Sequence, residues 1–336
     1  METTTLIFLF ILVWGILGVT FLCIGIGLHV RGRKKRNTCT LPVTATVVDL
    51  RRKMENGHEN SSNVRYTWKL YRLAALSGAC VGAECGCVYF LGDYLGEFPY
   101  PQRTLEILYE LKQNASCIFI RGNKEDYWLN RRKDQNCDWK SGNRSVMAMI
   151  YNYNSLNAKD LDFFETLPIS QSIRFAGMEP VLACHGTPFE NQKALLSEEL
   201  FVQKCEERYI ICGHTHMQGF VSDGKKRIIN AGAVGVPLKS PKKTQYMILT
   251  SDGKDWKPEF LSLEYDVDTV IKEIHESGLW DASPYWCRIT EHLLDTGELP
   301  HGTVLNHVMK LNDYQDPWYN IADSYWEKAL DELGIR

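Results

Sequence analysis

The sequence of 336 residues has no excess of charge of either sign, since 38 Lys and Arg residues stand against 41 Asp and Glu residues. A net charge of -3 gives no reason to expect a nucleic-acid-binding protein. The 11 cysteines lack regular spacing, which excludes a small disulfide scaffold and favours a reducing compartment. A disordered or collagen-like chain is also excluded, because 44% of the residues are hydrophobic and 24% are charged. The length predicts about two folded domains.

Charge is absent from a long stretch near the N-terminus, the 23 residues from Leu6 to Leu28. A helix of about 20 apolar residues crosses the hydrocarbon core of a bilayer. Five basic residues follow between Arg31 and Arg36, so the positive-inside rule places the rest of the chain in the cytoplasm. We therefore predict that residues 1–36 form a single-pass membrane anchor. A cleaved signal peptide is the alternative, but its basic n-region and small-residue cleavage site are missing.

Residues 37–70 are predicted to form a small β segment. Two runs rich in β-branched residues, Val43–Val48 and Val64–Trp68, flank a polar, turn-rich loop. The segment loosely resembles uncharacterised β domains that lie behind a single membrane helix in bacterial proteins. We interpret it as a spacer.

From residue 71 onward the pattern predicts alternating strands and helices of an α/β fold. Four short apolar runs each end at a glycine beside a side chain that can bind a metal ion, and they cover residues 87–91, 117–120, 181–184 and 209–212. Ligand sites in α/β sheets collect at the carboxyl ends of strands, so these side chains are expected to converge. They are Asp93, Asn123, His185, His214 and His216.

One Asp, one Asn and three His offer mixed oxygen and nitrogen ligands, which suit Mn, Fe, Ni or Zn. In an extended segment, His214 and His216 would point to opposite sides and would address two different ions. A single Gly-His or Gly-Asp pair is more simply explained as a tight turn. Four such strand ends in one chain favour a metal site.

These motifs resemble those of the calcineurin-like metallophosphoesterases. The matching segments, in the order and spacing of that family, are Leu91–Tyr94, Arg121–Asp126, Cys184–Pro188, Cys212–His216 and the glycine-rich Asn230–Pro237. The resemblance covers about residues 71–265 and implies a sandwich of two mixed β-sheets flanked by helices, with a two-metal site. By the resemblance, Asp93 would bridge the ions. Asn123, His185 and His214 would complete the shell of one ion, and His216 would bind the other.

The implied activity is hydrolysis of a phosphomonoester or phosphodiester by a metal-activated hydroxide. The implied catalytic residues are Asp93, Asn123, His185 and Lys124. Lys124 stands where the family often has His, and its ammonium can stabilise phosphate charge. A nucleic acid would be a partner only as a phosphodiester substrate, no cofactor other than the metal is predicted, and the sequence does not predict an oligomeric state.

One family motif is missing. The family begins with a strand that ends in Asp-x-His, and the equivalent strand is predicted at Tyr71–Ser77. The next nine residues, 78–86, contain neither Asp nor His and are too short for a helical crossover. We therefore predict one bound ion rather than two, and impaired activity. The alternative is a catalytically inactive relative that acts as a metal- or phosphate-binding module.

Replacement ligands around the missing motif are not favoured. Cys80, Glu84, Cys85 and Cys87 lie there, but their spacing is not a strong metal signature. Small buried cysteines are the simpler interpretation.

Residues 266–336 are predicted to form a helical C-terminal extension. Helical patterns cover residues 268–277, 284–296 and 323–334. The extension is rich in aromatic residues, namely Trp280, Tyr285, Trp286, Trp318, Tyr319 and Trp326. We expect them to pack the extension onto the core, and covering of a substrate is the alternative.

Overall fold

The computed structural model describes residues 5–14, 20–29 and 87–336, apart from 115, 135–138, 140–141, 176, 195–203 and 252–254. Within these residues the strands form two mixed sheets with helices packed against them. The strands are β1 (Thr5–Trp14), β2 (Thr20–His29), β3 (Val88–Phe90), β4 (Cys117–Phe119), β5 (Ser170–Ile173), β6 (Val181–Cys184), β7 (Tyr209–Cys212), β8 (Gly219–Ser222), β9 (Arg227–Asn230), β10 (Lys243–Ser251) and β11 (Trp256–Glu264).

Helices follow β3 and β4 and make up most of the C-terminal extension. They are α1 (Pro101–Asn114), α2 (Asn123–Lys133), α3 (Met147–Asn154), α4 (Ala158–Glu165), α5 (Val267–Glu276), α6 (Leu279–Ala282), α7 (Pro284–Thr296), α8 (His301–Leu311) and α9 (Asp323–Glu332), with a 3-10 turn at Trp318–Asn320.

The first sheet has the strand order β11-β10-β1-β3-β4, with β2 paired to β1. Strands β1, β3 and β4 run parallel, whereas β10 is antiparallel to β1 and β11 is antiparallel to β10. In this register Tyr89 is opposite both Phe10 and Ile118. All three residues of β3 are buried, as is typical of strands covered on both faces.

The second sheet has the strand order β5-β6-β7-β9-β8. Strands β6, β7 and β9 are parallel, and every residue of β6 and β7 is buried. The edge strand β8 is antiparallel to β9 and exposes Phe220 and Val221. Within each sheet, the carboxyl ends of the parallel strands therefore lie side by side at the same edge.

Several predicted elements are confirmed. The four apolar runs are strands β3, β4, β6 and β7, and the helical patterns of the extension are helices α5, α7 and α9. The expected architecture of two mixed sheets flanked by helices is also confirmed.

The C-terminal extension packs on the main core and has a small core of its own. Helix α7 connects the two, because Cys287 and Leu293 belong to the main core while Tyr285 and Ile289 belong to the second. Trp326 of α9 is fully buried in the second core. Because α7 is buried against both the main core and the second core, it holds the extension in a fixed position.

The transmembrane helix predicted over residues 6–28 is not found. The structure has strands β1 and β2 in this stretch, and no helix among the described residues is long and apolar enough to cross a membrane. The stretch is rich in β-branched and aromatic residues, which favour strands, and hydropathy alone does not separate a buried strand from a helix. The predicted spacer at 37–70 and the predicted strand at 71–77 lie outside the described residues.

Candidate metal centre

Asp93 follows β3 in a tight left-handed bend. Gly92 has φ 92° and Asp93 has φ 58°, a conformation that costs a non-glycine residue of the order of 1–3 kcal/mol. The side chain of Asp93 is 1% exposed. The bend therefore holds a buried carboxylate at the end of the strand, at some cost in stability.

A buried glutamate, Glu125, supports this bend. Its carboxylate accepts hydrogen bonds from the backbone N–H groups of Asp93, Tyr94 and Gly122, each 2.8 Å long. These bonds tie the loop after β3 to the loop after β4. This supporting role of Glu125 was not predicted from the sequence, although a glutamate three residues after the N-cap Gly122 is a capping-box signal.

Asn123 and Lys124 begin helix α2 beside Asp93. The backbone N–H of Lys124 donates to Asp93 Oδ1 over 2.9 Å. The Nζ of Lys124 contacts the buried carboxyl group of Glu97, and a Cβ at Gly96 would collide with Lys124 Nζ and Cδ. The Lys124 side chain thus packs against Gly96 and Glu97, which hold it in place.

His185 lies directly after β6 and is fully buried. Its Nδ1 lies 2.6 Å from the carbonyl oxygen of Leu91, so Nδ1 carries the proton and donates. In the neutral ring Nε2 then has a free lone pair. That atom is 3.4 Å from Asp93 Oδ2 and 3.1 Å from Asn123 Oδ1.

His214 lies after β7 and completes the cluster. Its Nδ1 is 3.2 Å from Asn123 Oδ1 and 3.2 Å from His185 Nε2. The ring also hydrogen-bonds the backbone carbonyl of Gln192. Both histidines therefore use one nitrogen on a backbone carbonyl and turn the other inward, which is the usual arrangement of metal-binding histidines.

The spacing of these four atoms fits a bound metal ion. With metal–ligand bonds of about 2.1 Å, neighbouring ligand atoms are about 3.0 Å apart in an octahedron and about 3.4 Å apart in a tetrahedron. The separations of 3.1–3.4 Å among Asp93, Asn123, His185 and His214 lie in that range. In the described part of the chain no three His, Cys, Asp or Glu side chains alone form a metal-binding group. A site here therefore depends on the Asn123 amide oxygen.

The electrostatics of the cluster favour neutral imidazole at His214 and a charged carboxylate at Asp93. Burial, together with His185, lowers the pKa of His214 to about 4. Burial alone would raise the pKa of Asp93, but His185 and Lys124 outweigh burial and hold that pKa below its usual range. A carboxylate and a neutral imidazole are the forms that bind a metal ion.

His216 is placed differently from the expectation. His214 and His216 have φ 64° and 57°, so this segment is not extended, and the argument from alternating sides is wrong. Asn230 holds the turn by donating to the Gly213 carbonyl and to Thr215 Oγ1, at 2.6 and 3.0 Å. His216 is buried and faces the same cavity as Asp93, Asn123 and His214.

The cysteines near the missing motif are interpreted as small buried residues, and of them Cys87 lies among the described residues. Cys87 is buried, and its Sγ lies 3.9 Å from the carbonyl oxygen of Val88. It is a free thiol, as are Cys117, Cys184, Cys205, Cys212 and Cys287. Cys80, Glu84 and Cys85 lie outside the described residues.

Comparison with known proteins agrees with the fold. Residues 72–254 match the calcineurin-like phosphoesterase superfamily domain. The chain is 25% identical over 219 residues to the uncharacterized protein MJ0912 of Methanocaldococcus jannaschii. This alignment covers 59% of this chain and 83% of that protein.

Two solved structures are similar. The hypothetical protein PH1004 of Pyrococcus horikoshii OT3 aligns with a TM-score of 0.53 at 18% identity, over 70% of this chain and 93% of the other. A metallophosphoesterase from Sphaerobacter thermophilus aligns with a TM-score of 0.47 at 20% identity, over 62% and 87%. The family match spans more than half of the sequence, so this chain belongs to the calcineurin-like phosphoesterase superfamily, a family of phosphoester hydrolases that generally use divalent metals.

Proposed function

We propose that this protein is a metal-dependent phosphoesterase that hydrolyses a phosphomonoester or phosphodiester. The observation that carries the proposal is the convergence of Asp93, Asn123, His185 and His214, whose facing atoms are 3.1–3.4 Å apart. Asp93 Oδ2, Asn123 Oδ1, His185 Nε2 and His214 Nδ1 would hold the first ion, and His216 would contribute to a second. A bound divalent ion would supply Lewis-acid activation of water and of the phosphoryl group.

The residues around the ligands have distinct roles in this proposal. Glu125 and the Leu91 carbonyl orient Asp93 and His185 through the hydrogen bonds described above. Lys124 is held near Asp93 by Glu97 and would stabilise negative charge on the phosphoryl oxygens. The burial of Asp93 and His185 keeps bulk water from competing for them.

The experiment is an assay of the purified chain with a chromogenic phosphomonoester and a chromogenic phosphodiester, each with and without added manganese. We expect hydrolysis that depends on the metal and is lost in His185→Ala. His292→Ala, at a partly buried position of α7 that does not line the cavity beside the candidate ligands, is the matched control and should keep the activity. Hydrolysis that persists after chelation, or that survives His185→Ala, would contradict the proposal.

A second candidate function is a catalytically inactive, metal- or phosphate-binding relative, and one feature of the sequence favours it. Neither residues 71–77 nor residues 78–86 contain Asp or His, so the Asp-x-His pair of the family is missing there. A chain that binds about one ion and turns over neither substrate would be the metal- or phosphate-binding relative. Metal content is measured beside the assay, so that turnover or its absence is recorded together with the number of bound ions.

Membrane attachment through residues 6–28, with the rest of the chain in the cytoplasm, stays a prediction of the sequence. It rests on the 23 uncharged residues and the basic flank. Residues 6–14 and 20–28 belong to β1 and β2 in the structure, and they cannot lie in a bilayer and in the sheet at once. Carbonate extraction of membranes tests the prediction, because an anchored chain stays in the pellet.

A further inference from the structure

A cavity of about 470 Å³ opens beside the candidate metal centre. This volume lies within the range of small-molecule sites, about 300–1,000 Å³. Its lining includes the polar residues Asp93, Asn123 and His214. The C-terminal extension also lines the cavity, from Trp286 to Trp318, and neither the metal ligands nor the phosphoryl chemistry explains that contribution.

Three aromatic residues form part of the wall of this cavity. Trp286 of α7 and Trp318 of the 3-10 turn line it together with Tyr127 of α2. The rings of Tyr127 and Trp318 have centroids 6.3 Å apart at an angle of 42°. Met149 of α3 and Leu305 of α8 complete the apolar surface. Such a wall suits a flat ring better than a flexible polar chain, because aromatic faces favour stacking.

The extension is tied to the metal-site loops through buried polar contacts. The Trp286 indole lies close to the Glu97 carboxyl group, which in turn pairs with Lys124. His301, at the start of α8, lies 4.6 Å from the Trp286 ring and bonds Thr290 Oγ1 over 2.9 Å. The aromatic wall therefore has a fixed position relative to Lys124 and Asp93.

Glu97 also offers the cavity an acceptor. The residue is 1% exposed and lines the cavity. Its Oε1 pairs with Lys124, while no donor in the described part of the chain meets hydrogen-bond geometry at Oε2. A buried carboxylate oxygen in this state is costly unless a donor reaches it. An N–H or O–H group of a ligand in the cavity would satisfy it.

We propose that this cavity binds the alcohol part of the substrate, and that this part is a nucleoside. The nucleobase would stack on Trp286 and Trp318, a donor of the nucleoside would reach Glu97, and the phosphate would face Lys124 and the metal ligands. This inference rests on the proposed function for the phosphate end. It assigns the C-terminal extension the role of selecting the substrate.

The test compares adenosine 5′-monophosphate with ribose 5-phosphate, two phosphoesters of the same kind of primary alcohol that differ by the base. Their dissociation constants are measured by calorimetry on the full chain in EDTA, so that neither is hydrolysed. We expect the nucleotide to bind at least tenfold more tightly. Trp318→Ala should reduce this ratio about tenfold, within the usual range for base–aromatic stacking.

The matched control is Trp280→Ala, since Trp280 stands in the same extension, stacks on His275 and is not part of the cavity wall. It should leave the ratio unchanged, and thermal unfolding checks that both variants stay folded. Trp286→Leu is the second test of the wall and should lower the ratio as well. An affinity ratio near one in the unaltered chain, binding of neither compound, or a ratio that both wall variants leave intact would overturn the inference.

Failure of the proposed function would look different. With manganese added, the unaltered chain should hydrolyse the nucleotide with a higher kcat/KM than ribose 5-phosphate. Absence of all hydrolysis together with a retained affinity ratio would contradict the phosphoesterase and support the nucleoside subsite. Hydrolysis of both compounds at equal kcat/KM with equal affinities would support the phosphoesterase and overturn the subsite.

Discussion

The second sheet supplies imidazoles from the ends of two neighbouring strands, β6 and β7, whereas the first sheet supplies one carboxylate after β3 and one amide after β4. In the first sheet the next parallel strand beyond β3 is β1. Residues 5–19, which include β1 and the five residues after it, contain no Asp and no His. The two sheets therefore contribute unequally to the metal centre.

The inequality does not depend on which segment lies beside β3. Residues 71–77 are the alternative strand predicted from the sequence, and they and residues 78–86 also lack Asp and His. Either way the ligand pair expected at this strand end is absent. In the proposed site, one ion would have four candidate ligands, while a second ion would lack the pair that the family places at this strand end.

The largest effect is expected from deletion of residues 1–36. This deletion removes β1, which lies between β10 and β3, and residues 71–77 cannot easily replace it. A parallel crossover needs about a dozen residues or more, and only nine separate residue 77 from residue 87. We expect the shortened chain to lose cooperative thermal unfolding, measured by circular dichroism.

The control for the deletion is a chain that lacks only residues 1–4, which precede β1. It should unfold like the full chain. A folded, soluble chain without residues 1–36 would show that another segment takes the position of β1. It would also agree with a separate role of residues 6–28 at a membrane.

Removal of one imidazole of the second sheet should have the next largest effect. We expect about one transition-metal ion per purified chain, and His185→Ala and His214→Ala should each abolish that occupancy because each removes a ligand of the complete set. His216→Ala should retain most of it. Elemental analysis after gel filtration measures all three, and equal loss in the three variants would show that the ligand assignment is wrong.

A smaller effect, on stability, is expected where the loops of the first sheet meet. Gly92 has φ 92°, and a Cβ there would lie 2.6 Å from Gly122 Cα and 2.9 Å from the Arg121 carbonyl carbon. Gly92→Ala combines backbone strain with overpacking and should cost about 2–5 kcal/mol.

Gly177→Ala is the control, since φ is 77° there but no atom lies within 4 Å of the added Cβ. It should cost about 1–2 kcal/mol. Equal losses in urea unfolding would show that the loops do not approach this closely.

The strand ends that carry the candidate ligands could be predicted from the sequence for a physical reason. Each follows a short apolar run and a glycine, and burial of that run fixes where the strand ends. Residues that act through long-range contacts leave no such local pattern. Glu97 and Trp286 meet across 189 positions of the chain, and neither stands in a motif. The apolar run of β1 is compatible both with a membrane helix and with a buried strand, so its composition alone does not decide between them.

The smallest effect concerns the pH dependence of stability through Glu97. Burial raises the pKa of Glu97 from its ordinary 4.5 to about 7, against the opposing influence of Lys124. Between these two pH values the folded chain holds a proton that the unfolded chain has released. Stability should therefore fall as the pH rises from 4.5 to 7, by up to about 3 kcal/mol from this group. In Glu97→Gln this part of the slope should vanish in EDTA, as measured by urea unfolding at several pH values.

His214 acts with the opposite sign over much of the same range, so the slope of the unaltered chain alone does not isolate Glu97. Burial lowers the pKa of His214 from 6.5 to about 4, which makes stability rise with pH between these values. The informative quantity is the difference between the unaltered chain and Glu97→Gln, in which the His214 contribution cancels. Loss of the partner of Lys124 lowers the stability of this variant at every pH, but a constant offset does not change the slope. Glu106→Gln, on the exposed side of α1, should leave the slope unaltered. A slope that is identical in Glu97→Gln and in the unaltered chain would mean that Glu97 is ionised throughout this range, as a full salt bridge with Lys124 would require.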